Sequence, residues 1–208
     1  MTILLAGAHG AVGQHILKQL SQAGHTVRAM IRDEDQSDLI RSLGGEPLVS
    51  DLTGDVSQAP EDCDAVIFAA GSGGEAVEDV DRDGAIALID ATVASGVSRF
   101  VMLSSIGADA PEEADQLQDY LRAKHKADEH LKGTSLTYTI LRPTTLTNGA
   151  ATGTIHVAPS IDRDGPMENA REDVAAALVA TLTISETERA IIEMTSGDTP
   201  IREALASL

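Results

Sequence analysis

Short apolar runs rich in Ile, Val and Leu alternate along the chain with longer amphipathic stretches. That alternation is the pattern of strand–helix units wound around a parallel sheet, an α/β architecture with helices on both faces. The runs predict strands near 2–6, 26–31, 46–50, 64–69, 99–104, 136–141 and 190–195. The stretches between them predict helices near 11–23, 36–43, 75–95, 115–132 and 171–183, with a short one at 200–207. Gly24, the pair Gly44 and Gly45, and Gly96 stand where the first three helices should stop. In the 75–95 helix, the acidic run EAVEDVDRDG reads as a solvent-facing start and AIALIDATV as the buried stripe. Residues 142–170 are the least regular part, too long for a plain connection and so expected to serve function.

Composition narrows this picture. With 208 residues, 42% of them hydrophobic, the chain suits one domain with its own core, 1–208, to which 142–170 would add a small substrate-side region. No apolar run reaches the roughly 18 residues of a membrane helix. The formal charge of −18, from 33 acidic and 15 basic residues, speaks against nucleic acid and anionic membrane as partners, because phosphate contacts need clustered Lys and Arg. With no Trp, two Tyr and two Phe, base-stacking platforms are scarce too. The acids are spread along the chain like a solvated coat, Asp outnumbers Glu and Arg outnumbers Lys, a bias that a salt-rich, halophilic-like cytoplasm would favour. The single cysteine, Cys63, leaves no internal disulfide and reads as packing. His125 and His130 stand five apart, on different helical faces, so no metal site is expected. The start MTILLAGAHG lacks a basic region and a cleavage site, which makes cytoplasmic residence the expectation.

Candidate chemistry begins at TILLAGAHGAVGQHILKQL, where Gly7, Gly10 and Gly13 lie between a strand and an amphipathic helix. Gly7 would make the tight turn, Gly10 would admit a pyrophosphate to the backbone, and Gly13 would let helix and sheet pack closely. The helix N-terminus, with Ala11 and Val12 in its first turn, would offer amide donors and a favourable dipole to the phosphates. His9 lies inside the turn, placed to touch cofactor phosphate or solvent. The second strand ends in AMIRDED: Arg32 is placed to pair with the 2′-phosphate of NADP(H), while Asp33 beside it could bind the ribose hydroxyls of NAD(H). The reading prefers NADP(H). Asp51 either accepts from the adenine amino group, with Leu52 over the ring, or caps the next turn. Ala69, Ala70 and Gly71 are small enough to let a ribose approach the fourth strand's end.

Tyr120 and Lys124, four apart in DYLRAKHKADEHL, fall on one helical face. A phenol can exchange a proton with a substrate hydroxyl or carbonyl where a nearby ammonium favours the phenolate, and the same lysine can hold the nicotinamide ribose. Ser104 and Ser105 end the fifth strand, on the sheet edge where ligands bind in open α/β folds.

With GAHGAVG, SDLTGD, FAAGSG, VMLSSIGAD, YLRAKHKADEHL, ILRPTTLTNGAATG and REDVAAALVATL, the chain resembles an atypical short-chain dehydrogenase/reductase of the NmrA-like and epimerase-like group over nearly its full length. The resemblance implies a three-layer, doubly wound Rossmann-like fold with a mainly parallel sheet of order 3-2-1-4-5-6-7. It implies Tyr120 as acid/base, Lys124 as the cation beside it, Ser105 as the substrate-polarising hydroxyl with Ser104 as the alternative, and Pro143 and Thr144, after Arg142, flanking the nicotinamide amide. Only 66 positions follow residue 142, too few for a large substrate lobe, so a substrate pocket is expected between 105–119 and 143–170. The expected activity is NADP(H)-dependent hydride exchange with a small carbonyl or alcohol. A dinucleotide-reading regulator without turnover and a small-sugar epimerase or dehydratase are the alternatives, and monomer or homodimer stays open.

Overall fold

Ile3, Leu4, Leu5 and Ala6 are all fully buried, although neighbouring residues of a strand point to opposite faces. Strand β1 (Thr2–Ala6) must therefore be covered on both sides. In the computed structural model, which describes residues 1–208, Ile3 and Leu5 pack under helices α1 (Ala11–Gln22) and α5 (Arg171–Thr181). Leu4 and Ala6 pack with Leu88 and Leu131, from helices α3 (Ala85–Ala94) and α4 (Gln118–Lys132). This double cover explains the uninterrupted apolar runs.

The other strands are β2 (Thr26–Ile31), β3 (Glu46–Val49), β4 (Ala65–Phe68), β5 (Arg99–Leu103), β6 (Thr137–Pro143), β7 (Thr145–Thr147), β8 (Thr154–Ala158), β9 (Glu168–Ala170), β10 (Ala190–Ser196) and β11 (Thr199–Pro200). Nine of the eleven strands form one sheet in the order β11-β8-β10-β6-β5-β4-β1-β2-β3, and β7 pairs with β9 apart from it. The seven strands expected from the sequence are all present and mutually parallel, in the expected order 3-2-1-4-5-6-7. Helices α2 (Ser37–Ser42) and α6 (Ile201–Ala206) complete the set.

Two expectations need correction. The segment 142–170 is not merely irregular: it contains β7, β8 and β9, and β8 joins the main sheet antiparallel to β10, with Glu193 opposite Ala158. Nor is 75–95 a single helix with a solvent-facing start. Residues Val77–Gly84 form a π-helical stretch ahead of α3, and Asp81 within it is completely buried. Wide turns of this kind concentrate at functional sites. No helix is long and apolar enough to cross a membrane.

Candidate active site

The turn after β1 is built by backbone crowding. Gly7 has φ +84°, and a Cβ there would lie 2.6 Å from the backbone of Ala70. Gly13, on the inner face of α1, would place a Cβ 2.1 Å from the Gly7 carbonyl oxygen. Glycine at both positions thus lets α1 start tight against the ends of β1 and β4. Gly10 is the N-cap of α1; it offers no side chain to the first amides, and the first turn carries no acid. Those donors and the positive end of the helix dipole face a cleft rather than a capping group.

The cleft, of about 740 Å³, runs along the C-terminal ends of the parallel strands, where ligands bind in such sheets. Among the residues selected from sequence, Gly7, His9, Gly10, Ala11 and Val12 line it at α1, and Arg32, Asp51 and Leu52 line it past β2 and β3. Ala69, Ala70 and Gly71 form its floor after β4, and Ser104, Tyr120 and Lys124 line it beyond β5. Four selected residues are not on its wall. Gly13 serves the packing just described. Ser105 sits off the wall with its hydroxyl donating to the Ile106 carbonyl at 3.3 Å. Pro143 closes β6 opposite Met194, and buried Thr144 accepts a hydrogen bond from Asn169 Nδ2 at 2.6 Å. The wall also includes Leu117 and Leu146, from the segments 105–119 and 143–170 expected to form a substrate pocket, and Ser72, Leu103 and Arg171, which the site reading missed. Arg171 opens the REDVAAALVATL motif, so a cue existed for it.

At the β2 end, the Arg32 side chain is 70% exposed, with Nε 3.9 Å from Asp33. Its backbone amide donates to Gln36 Oε1, which fixes the turn while the guanidinium stays exposed at the mouth of the cleft. Asp51 Oδ1 accepts from the amide and the hydroxyl of Thr53, both at 2.9 Å, so the turn-capping alternative is formed.

At the other end lies a buried charge cluster. Lys124 Nζ is 3.2 Å from Asp81 Oδ1, 3.5 Å from the Ala70 carbonyl and 5.6 Å from the ring centres of Phe68 and Tyr120. The other Asp81 oxygen accepts from the Ser72 amide at 3.0 Å and its hydroxyl at 2.7 Å. One turn on from Lys124, Asp128 Oδ2 accepts from Arg142 Nε and Nη2 and from Ser104 Oγ at 2.8 Å. The Ser104 hydroxyl proton is therefore committed to Asp128. All four charged groups are nearly or fully inaccessible, and two cations balance two carboxylates. Asp81 Oδ1 and Asp128 Oδ1 have no hydrogen-bond partner; Oδ1 of Asp81 meets the ammonium as a charge, outside hydrogen-bond alignment.

Burial pushes the Asp128 carboxyl above the ordinary carboxylate range, against the opposing pull of Arg142 and the Ser104 hydroxyl. A carboxyl whose folded pKa is raised makes the folded state bind the proton more tightly than the unfolded chain does. Its contribution to stability therefore falls as pH rises from its unfolded value toward its folded one. Removing the guanidinium enlarges the effect. Arg142→Met should unfold about 3–5 kcal/mol more easily than wild type at pH 8, with the gap narrowing as pH falls and Asp128 takes up its proton. Urea unfolding of both proteins from pH 5 to 8 checks this; a gap constant with pH would refute it.

These groups fit a dinucleotide: an uncapped helix start for a diphosphate, a cradle of Gly and Ala closed by any Cβ at Gly7, an exposed guanidinium at the β2 end, and a fixed ammonium beyond β4. Residues 7–184 match the NAD(P)H-binding family. The uncharacterised sugar epimerase YhfK of Bacillus subtilis is 39% identical, over the whole of both chains. A candidate NAD-dependent epimerase/dehydratase from Bacillus halodurans has the same fold with a TM-score of 0.96 and 36% identity, also over both full chains. The oxidoreductase YlbE of Lactococcus lactis gives 0.91 and 33%, over 100% of this chain and 96% of its own. Taken with the glycine turn and the strand order, these matches show that the chain belongs to the NAD(P)H-binding family of Rossmann-like proteins.

Proposed function

We propose that the protein is an NADP(H)-dependent oxidoreductase acting on a small carbonyl or alcohol. The observation that carries this is the placement of Tyr120 and Lys124 together on the cleft wall beside the Gly-Ala floor. The bound nicotinamide would supply or accept the hydride. The chain's part is to hold and to move a proton: the Tyr120 hydroxyl donates to the carbonyl oxygen during reduction and takes the proton back during oxidation. Lys124, pinned by Asp81 and the Ala70 carbonyl, presents a fixed positive charge to the phenol and to a ribose hydroxyl. Arg32 takes the 2′-phosphate. Arg171 lines the same cleft and hydrogen-bonds Asn148 without a carboxylate partner, so its charge is available to a phosphate. The names of the relatives support both an oxidoreductase and an epimerase.

A dinucleotide-binding regulator is the second reading. It is favoured by one observation: the Ser104 and Ser105 hydroxyls are both spent on protein partners. Melting temperatures with NADPH and NADH, beside oxidation of NADPH against a panel of aldehydes and ketones, test the two. Stabilisation by NADPH should exceed that by NADH, and Arg32→Gln should abolish the difference. Tyr120→Phe should lower kcat by about 10²–10⁴-fold while leaving NADPH binding intact. Equal rates in wild type and Tyr120→Phe would refute the proton-transfer role, and binding without turnover of any substrate would favour the regulator.

A further inference from the structure

Past the end of β5 the cleft changes character. Beside Ser104 and the ion-paired Lys124, its wall there carries Leu103, Leu117, Tyr120 and Leu146, and the nearby serine and threonine hydroxyls are engaged with the protein: Ser104 with Asp128, Ser105 with Ile106, Thr144 with Asn169. A sugar brings several hydroxyls into a site, and each one that loses water without gaining a partner weakens binding. Beyond the Tyr120 hydroxyl, this wall has few unengaged polar groups to offer them. Leu117 stands out further. Its backbone is left-handed, φ +60° and ψ 23°, a conformation that leucine adopts only at a cost. It occupies the N-cap of α4, where Ser, Asp or Asn would bond the helix amides, and its side chain makes no such bond. It is also 70% exposed, so it adds little to the core. A residue that is strained, does not cap and does not pack, yet lines a cleft, is of the kind found at ligand clamps.

We propose that this half of the cleft binds an apolar ring ketone and that Leu117 is the side chain that covers it. The inference rests on the oxidoreductase reading and gives it a substrate class. In the reduction, the carbonyl carbon gains a hydride from the reduced dinucleotide, the carbon–oxygen π pair moves to oxygen, and oxygen takes the Tyr120 proton. The products are the secondary alcohol and the oxidised dinucleotide, and Tyr120 regains its proton from water.

Leu117→Asn separates strain from contact, because Asn tolerates the left-handed backbone and caps helices. Its melting temperature should equal or exceed that of wild type. The calorimetric Kd of trans-2-decalone for the NADP⁺-loaded protein should rise roughly 10-fold, as should its KM, with kcat and the Kd of NADPH unchanged. Leu117→Met, which keeps an apolar cover, should stay near wild type. The proposal is overturned if Leu117→Asn binds decalone as wild type does, if wild type does not bind decalone, or if glyceraldehyde or UDP-glucose is the better substrate. Should wild type bind neither dinucleotide, the oxidoreductase reading fails on its own, and decalone titrated into the free protein still decides the apolar site by the same Leu117→Asn comparison.

Discussion

Asp81→Leu should unfold about 3–5 kcal/mol more readily than wild type, and Asp81→Leu with Lys124→Met should recover most of that loss. The single change leaves the Lys124 ammonium, 2% exposed, without its counter-charge. It also strips two hydrogen bonds from Ser72. The double change removes both charges and fills their space with apolar side chains of similar shape. Replacing a whole buried pair in this way is often neutral, whereas halving it is costly, because the desolvation of a lone charge is never offset. Urea unfolding of the two single variants, the double variant and wild type closes the cycle. Additive losses would mean that the pair does not interact. The double variant should also bind NADPH more weakly than wild type despite its recovered stability, which separates the ammonium's part in the site from its part in the fold.

Gly13→Ala should cost about 3 kcal/mol and abolish the stabilisation that NADPH gives. The added methyl would sit 2.1 Å from the Gly7 carbonyl oxygen, 2.9 Å from its carbonyl carbon and 3.0 Å from the Ala8 Cα. All three are backbone atoms, so no rotamer change relieves the clash. Either α1 lifts from the sheet or the Gly7 turn opens, and both move the helix amides away from the diphosphate. Gly10→Ala is the matched control: its methyl would meet only the Gly7 carbonyl oxygen, at 3.2 Å, so binding should fall far less. Chemical denaturation and melting with and without NADPH check both variants; an unperturbed Gly13→Ala would show that α1 tolerates displacement.

The central strands were legible in the sequence because sheet residues such as Leu4 and Leu5 are covered on both sides, which leaves continuous apolar runs. The three-residue strands β7 and β9 left no such trace. They are largely polar, and each exists only through the other, with Thr145 opposite Glu168 and Thr147 opposite Ala170. In the site, the glycines and the Tyr120–Lys124 pair could be read because their spacing reflects local geometry. Asp81 could not. It lies in an acidic run, and what buries it is the π-helical register that aims it at a lysine on another element. The direction of a hydroxyl at a strand end is equally hidden: Ser104 and Ser105 are adjacent in sequence, yet one reaches Asp128 across the fold and the other bonds its neighbour's carbonyl.

The two outermost strands of the main sheet, β3 and β11, have a bearing on self-association. Each contains a proline, Pro47 opposite Ala29 and Pro200 opposite Thr154, and proline brings no N–H to a ladder. A stranger's strand arriving at either border would find a broken row of donors, which is how natural sheets resist polymerising edge to edge. Edge-to-edge growth is thereby disfavoured at both margins of the nine-stranded sheet.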